Sequence, residues 1–127
     1  MESGLEVKTE PASNTAGGGI VFDNLVRDAI DPGRNWQPFR EGVEISELYA
    51  VDNGMASAFL RFSPGARLPR HCHAGHEHIF VLRGSQQDEN GVHRAGAMLL
   101  HPPGTCHNVS SPEGCIVLAI WGKPVTF

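Results

Sequence analysis

Apolar segments of strand length recur along this chain, and a turn signal stands between each one and the next. The segments are Val43 to Val51, Met55 to Phe62, His76 to Leu82, Ala97 to His101, Cys106 to Val109 and Cys115 to Trp121. Between them lie Asp52-Asn53-Gly54, Ser63-Pro64-Gly65, Asn90-Gly91, Pro102-Pro103-Gly104 and Ser111-Pro112-Glu113-Gly114. Glycine supplies positive φ, proline presets φ, and Asn or Asp bonds its own backbone, so each cluster bends the chain by a known route. With 15 Gly and 9 Pro in 127 residues, the punctuation suits an all-β fold better than a helical one. Regularly spaced strands of this kind predict a sandwich or barrel.

The length and a 40% hydrophobic content suit one compact domain, placed at residues 19–127. Residues 1–18 are polar, Gly-rich towards Ala16-Gly17-Gly18-Gly19 and without periodicity, which predicts a disordered tail. Ile20 to Arg34 reads as a strand followed by a turn of helix. No apolar run is long enough to cross a bilayer, and MESGLEVKTE lacks the basic and then apolar regions of a secretory signal, so a cytoplasmic protein without membrane attachment is expected. A net charge of −4, with Lys8 and Lys123 as the lysines, offers no basic footprint for nucleic acid. Three cysteines, an odd number, argue against a disulfide framework and predict free thiols in a reducing compartment.

Two stretches, GARLPRHCHAGHEHIFVLRG (Gly65 to Gly84) and GAMLLHPPGTCHNVS (Gly96 to Ser110), hold three imidazoles and a carboxylate at spacings suited to one metal site. His71 and His73 are one residue apart, so on a strand they leave the same face and can share an ion. Glu77 returns on the next strand after the turn at Ala74 and Gly75. His107 arrives from a later hairpin beyond the Pro102-Pro103-Gly104 corner. A carboxylate opening an apolar strand is costly to bury without a cation, which favours ligation by Glu77.

Written as patterns, the stretches are G-x5-H-x-H-x3-E-x6-G and G-x5-P-x-G-x2-H, and they resemble the two signature motifs of the cupin superfamily. One position departs: that family often has Asn after three residues beyond the last His, where this chain has Ser111. The HxHxGxE core, the Asp88-Glu89-Asn90-Gly91 turn, Trp36 and the Leu60 to Gly65 run are most similar to the cupin-like domain of ChrR anti-sigma factors. The resemblance spans roughly Trp36 to Gly122. It implies a jelly-roll β-barrel with the metal inside near one end, held by His71, His73, Glu77 and His107.

Other residues carry plainer expectations. His93 sits by a polar turn and reads as a surface residue. Alternation sends His76 and His78 away from the face Glu77 uses. His76-Glu77-His78 fails as a zincin helix because Phe80 stands where the second His is needed. His101, just before the proline corner, is given at most a supporting role. Cys72 should point away from the site and pack as a small hydrophobe. The family's strand order could still make it a neighbour of Cys106, with a regulatory disulfide as the less favoured alternative to free thiols. Cys115 reads as core, and Asp88 and Glu89 read as a solvated hairpin turn. Phe59, Phe80 and Trp121 are candidates for surface or dimer contacts, and a homodimer is expected.

The expected ligands suit zinc foremost, and iron, manganese, nickel or cobalt as well. A closed zinc site implies a sensory or regulatory module, as the ChrR resemblance suggests. A six-coordinate iron or manganese leaves positions for oxygen and a small molecule in the barrel, as in cupin dioxygenases that cleave diketones. Retention of Glu77 tilts the reading to the first, because diketone-cleaving relatives resemble a three-histidine site. No separate general base stands out in the sequence. No room is seen for the helical domain by which ChrR grips a sigma factor, so sigma-factor sequestration is not carried over.

Overall fold

The computed structural model describes residues 16–127 together with the backbone of Glu6–Val7 and Ser13–Asn14. In chain order the elements are β1 (Glu6–Val7), β2 (Ser13–Asn14), β3 (Ile20–Val21), α1 (Leu25–Ile30), β4 (Gln37–Arg40), β5 (Val43–Ala50), β6 (Ala56–Phe62), β7 (Ala66–His73), β8 (Glu77–Asp88), β9 (Gly91–Arg94), β10 (Met98–His101), β11 (Cys106–Ser111), β12 (Cys115–Trp121) and β13 (Val125–Thr126). The tail expected over residues 1–18 lies mostly outside the described residues. Within it, β1 pairs with β5 and β2 with β3.

All pairings are antiparallel; β2 and β3 form a two-stranded sheet, and the other strands make one curled sheet in the order β1-β5-β6-β12-β8-β11-β7-β13. β10 and β9 add to β8, and β4 adds to β5. This is the jelly-roll barrel that the strand pattern and the motifs predict. The hinge of the curl is β8. Its first half pairs with β12 and β10, and its second half pairs with β9 and touches β11. Between the halves stands Gly84 at φ 73, where an added Cβ would collide with the carbonyl oxygen of Gly114. A side chain there would be both strained and blocked. The sequence segment His76 to Leu82 stops short of this extension because the apolar run ends there, whereas the strand continues to Asp88. Ser85 and Gln86 are instead buried.

Alternation along the strands sorts two cores. Ala58, Leu60 and Phe62 of β6 and Cys115, Val117, Ala119 and Trp121 of β12 face the barrel interior with Val43, Leu68, Ile79, Val81 and Val109. The opposite faces contribute Phe59 and Ile116 to a second cluster with Leu48 and Ala29, over which Phe22, Leu25 and Trp36 pack. α1 therefore covers the outside of the sheet. Its N-terminus is capped by Asn24, whose side chain accepts from the Arg27 amide. This corrects two surface expectations. Phe59 is wholly buried in the cluster that α1 covers, and Trp121 lies inside the barrel because it shares the strand parity of Cys115, Val117 and Ala119. Phe80 is exposed at 41%, next to exposed Met98 and Leu100 on β10. Among the described residues no helix is long and apolar enough to cross a membrane.

Candidate metal centre

β7 and β11 run side by side with His71 opposite His107. The register then slips, so that Val109 meets Leu68, and β7 carries an extra residue at Pro69 and Arg70. A bulge re-aims the side chains beside it, and Pro is tolerated there because no ladder N–H is required of it. The result is that both His71 and His73 are buried inside the barrel, while Pro69 turns its carbonyl towards the His71 ring.

Glu77 opens β8 directly between two registered neighbours, His101 of β10 and Trp121 of β12. Trp121 Nε1 donates to Glu77 Oε2 at 2.6 Å, and His101 Nδ1 lies 2.9 Å from Oε1. The His101 ring stacks on His73 with centroids 4.8 Å apart and stands edge-on to His107 at 4.3 Å. His71, His73, Glu77 and His107 offer ligand atoms that all lie within 4.8 Å of one another, and all four residues are buried.

Hydrogen bonding fixes which nitrogens are free. His71 Nδ1 donates to the Pro69 carbonyl at 2.8 Å, which leaves a lone pair on its Nε2. Thr105 gives its hydroxyl proton to the Pro102 carbonyl at 2.7 Å, so it accepts from His73 Nδ1 at 2.9 Å. In the neutral form of His73, Nε2 is then also a lone pair. It is buried without a hydrogen-bond partner, 3.0 Å from Glu77 Oε1. His71 Nε2 likewise faces His107 Nε2 at 2.8 Å. A neutral imidazole acceptor aimed at a carboxylate oxygen is unfavourable by itself, and a cation between them removes the conflict. The donor set of imidazoles and one carboxylate therefore fits a divalent ion.

Protonation agrees with that fit. Burial pushes the His107 imidazole down to about 4, helped by nearby His101 and His71. Burial also lowers His71, against the bond to Pro69. Burial alone would raise Glu77, but contacts with His101 and His73 and the bond from Trp121 hold it well below the usual carboxylate range. At neutral pH His71 and His107 are uncharged and Glu77 is ionised, the states in which metal ligands bind.

His101 is thus a member of this constellation that sequence reasoning underrated. Its signal was register: it falls opposite Glu77 once β10 pairs with β8. Asp88 is a correction as well. Its side chain is 3% exposed, and its Oδ1 receives the Asn90 amide and lies 3.0 Å from His93 Nε2. The bend of β8 brings its carboxylate within 4.8 Å of ring nitrogens of His101 and His107. Asp88 is therefore a buried acid beside the site, while Glu89 stays exposed and accepts from the Asn108 amide. His93 takes no part in the cluster, and His76 and His78 point away from it as expected. A cleft of about 1130 Å³ runs past Pro69, Asp88 and Asn108 beside the cluster rather than over it. Ser111 is buried and donates to the Ser85 carbonyl at 2.6 Å, a packing role consistent with its departure from the motif.

The cysteines are a further correction. Cys72 points away from His71 and His73 as predicted, but it is joined to Cys106 in a disulfide, with Cα atoms 4.1 Å apart. The two residues face each other directly across β7 and β11, a proximity that spacing in the sequence does not show. Cys115 is free and buried in the core.

Comparison with known proteins places this geometry in context. The family described as the ChrR Cupin-like domain matches residues 30–124. Among solved structures, the complex of Rhodobacter sphaeroides SigE with the anti-sigma ChrR superposes with a TM-score of 0.66 at 24% identity, over 75% of this chain and 55% of that chain. This chain therefore spans little more than half of the ChrR chain's length. An RmlC-like cupin from Ralstonia eutropha gives 0.66 at 21% identity, over 76% and 68% of the two chains. A putative acetylacetone dioxygenase from Methylibium petroleiphilum gives 0.69 at 19% identity, over 74% of each. At these identities the structures share the fold. No curated protein matches the sequence.

Proposed function

Because the chain belongs to the ChrR cupin-like domain family, we propose that it is a metal-binding sensory or regulatory module in which His71, His73, Glu77 and His107 hold one divalent ion, zinc foremost. The observation that carries this reading is His73 Nε2, buried without a hydrogen-bond partner 3.0 Å from the Glu77 carboxylate inside the four-residue cluster. Iron, manganese or nickel satisfy the same donors. The ion, when bound, would supply positive charge that ties β7, β8 and β11 together. In a sensory module a protein partner reads that state, as the pairing of ChrR with SigE in the matched structure suggests. A cytoplasmic location completes the reading.

The test is metal analysis of the purified chain with thermal melting before and after chelation. We expect one ion per chain and a lower Tm once it is removed, by about 3 kcal/mol of stability when zinc is a hundredfold above its Kd. Full metal content and unchanged melting in His107→Ala would refute the fourth ligand.

A second reading, a metal-dependent dioxygenase acting on a small diketone-like molecule, draws on the likeness to the putative acetylacetone dioxygenase. Asp88 gives it a buried carboxylate beside the cluster that could hold a proton. Oxygen uptake by the iron-loaded chain with a diketone panel, abolished in His71→Ala, would establish this reading over the first.

A further inference from the structure

Cys72 lies between His71 and His73, and Cys106 directly precedes His107. On the ladder, the Cys72–Cys106 rung is adjacent to the rung that sets His71 opposite His107. The disulfide therefore spans the two strands that bring those imidazoles to 2.8 Å of each other. Beyond His107 the register slips by one residue before the ladder resumes at Val109 and Leu68, so the disulfide stands beside an irregular stretch of the pairing. Both cysteines are half-buried on the outer side of the strands, within reach of small reagents. Cys115 is separate from them, buried in the core with its thiol pushed up by burial to about 11.

We propose that Cys72 and Cys106 form a reversible redox site whose disulfide holds His71 and His107 in position for the ion, so that reduction loosens the metal. The proposal rests on the metal reading above and adds the regulation of that site. Its chemistry is a two-electron exchange. In oxidation by a hydroperoxide, the two thiols lose their protons and two electrons, the S–S bond forms, the O–O bond breaks, and water and an alcohol leave. In reduction, two small-molecule thiols give their protons to the cysteines and depart joined as a disulfide. A disulfide in a reducing compartment is characteristically transient and redox-sensing, which suits a regulatory protein. Fixing two ligands in their bound arrangement raises affinity by removing the cost of ordering them on binding.

The test is zinc affinity of the full chain, measured by competition with a chromophoric chelator after cumene hydroperoxide and after dithiothreitol followed by its removal. We expect roughly tenfold tighter binding in the oxidised form, with the intramolecular disulfide seen by mass spectrometry. The Cys72→Ser/Cys106→Ser variant should show the weaker affinity after either treatment, and Cys106→Ser alone should do the same should the double variant not fold. Equal affinity in both redox states overturns the coupling and leaves the metal site standing. A response that persists in the serine variants, or a hydroperoxide-treated chain without the disulfide, also overturns it. A chain that binds zinc in neither state sinks the metal reading together with the switch.

Discussion

Trp121 and Glu77, registered opposite each other on β12 and β8, share a 2.6 Å hydrogen bond from the indole to the carboxylate inside the barrel. The indole holds one oxygen of the carboxylate, so the other is turned towards His73 and His101. The last residue of β12, 44 positions from Glu77 in sequence, thereby orients a proposed metal ligand.

Replacing that donor tests the relationship. Trp121→Phe keeps most of the packing but leaves a buried carboxylate oxygen unpaired, and a hydrogen bond to a charged group is worth about 1.5–3 kcal/mol. We expect a stability loss of that order in urea denaturation of the metal-free chain. A loss no greater than that of an exposed substitution would show that the bond carries no weight.

His101 supports Glu77 from the opposite strand and stacks on His73. Groups that orient metal ligands typically cost 10–100-fold in affinity, roughly, when removed. His101→Ala should therefore weaken zinc binding on that scale while the far-ultraviolet circular dichroism stays that of a β protein. Unchanged affinity would reduce His101 to a space-filling residue.

Acid should destabilise the metal-free protein in a defined window. His107 titrates at about 4 when folded and near 6.5 when unfolded, and His71 is shifted in the same direction. Between those values the unfolded chain binds protons that the folded chain refuses. Stability is thus fully present above about 6.5 and is lost as pH falls towards 4. Glu77, depressed in the fold, adds a further loss below its ordinary value of 4.5. Urea midpoints measured from pH 7.5 to 4 should fall through this range. For His107→Gln the fall should be shallower, and a wild-type curve that is flat would contradict the assignment.

Phe80, Met98 and Leu100 present a neighbouring apolar surface on β8 and β10 that α1 does not cover. A second copy of the chain is its proposed cover, giving a homodimer. Light scattering at micromolar concentration should give twice the chain mass, and Met98→Glu should shift it to the monomer. A monomeric wild type would remove the dimer and leave the patch for a different partner.

Alternation by itself determined much of this protein. A residue's face on a strand depends on parity, so His71 and His73 could be assigned to one side and Cys72 to the other from their order alone. The turn residues located most strand ends for an equally local reason, since Gly and Pro act on their own φ. The fold class followed from these local rules, and the four proposed ligands followed from the spacing of the two motifs. The tertiary structure decided what depends on register and on closure of the sheet. His101 joined the cluster because it pairs with Glu77 from β10, and Trp121 met the same carboxylate because it pairs with Glu77 from β12. Asp88 reached the site because Gly84 lets β8 bend between the halves of the barrel. Cys72 met Cys106 across a rung that joins residues 34 apart. Each of these is a contact between distant segments, set by which strands lie side by side and in what register, and spacing along one chain does not encode that alignment residue by residue.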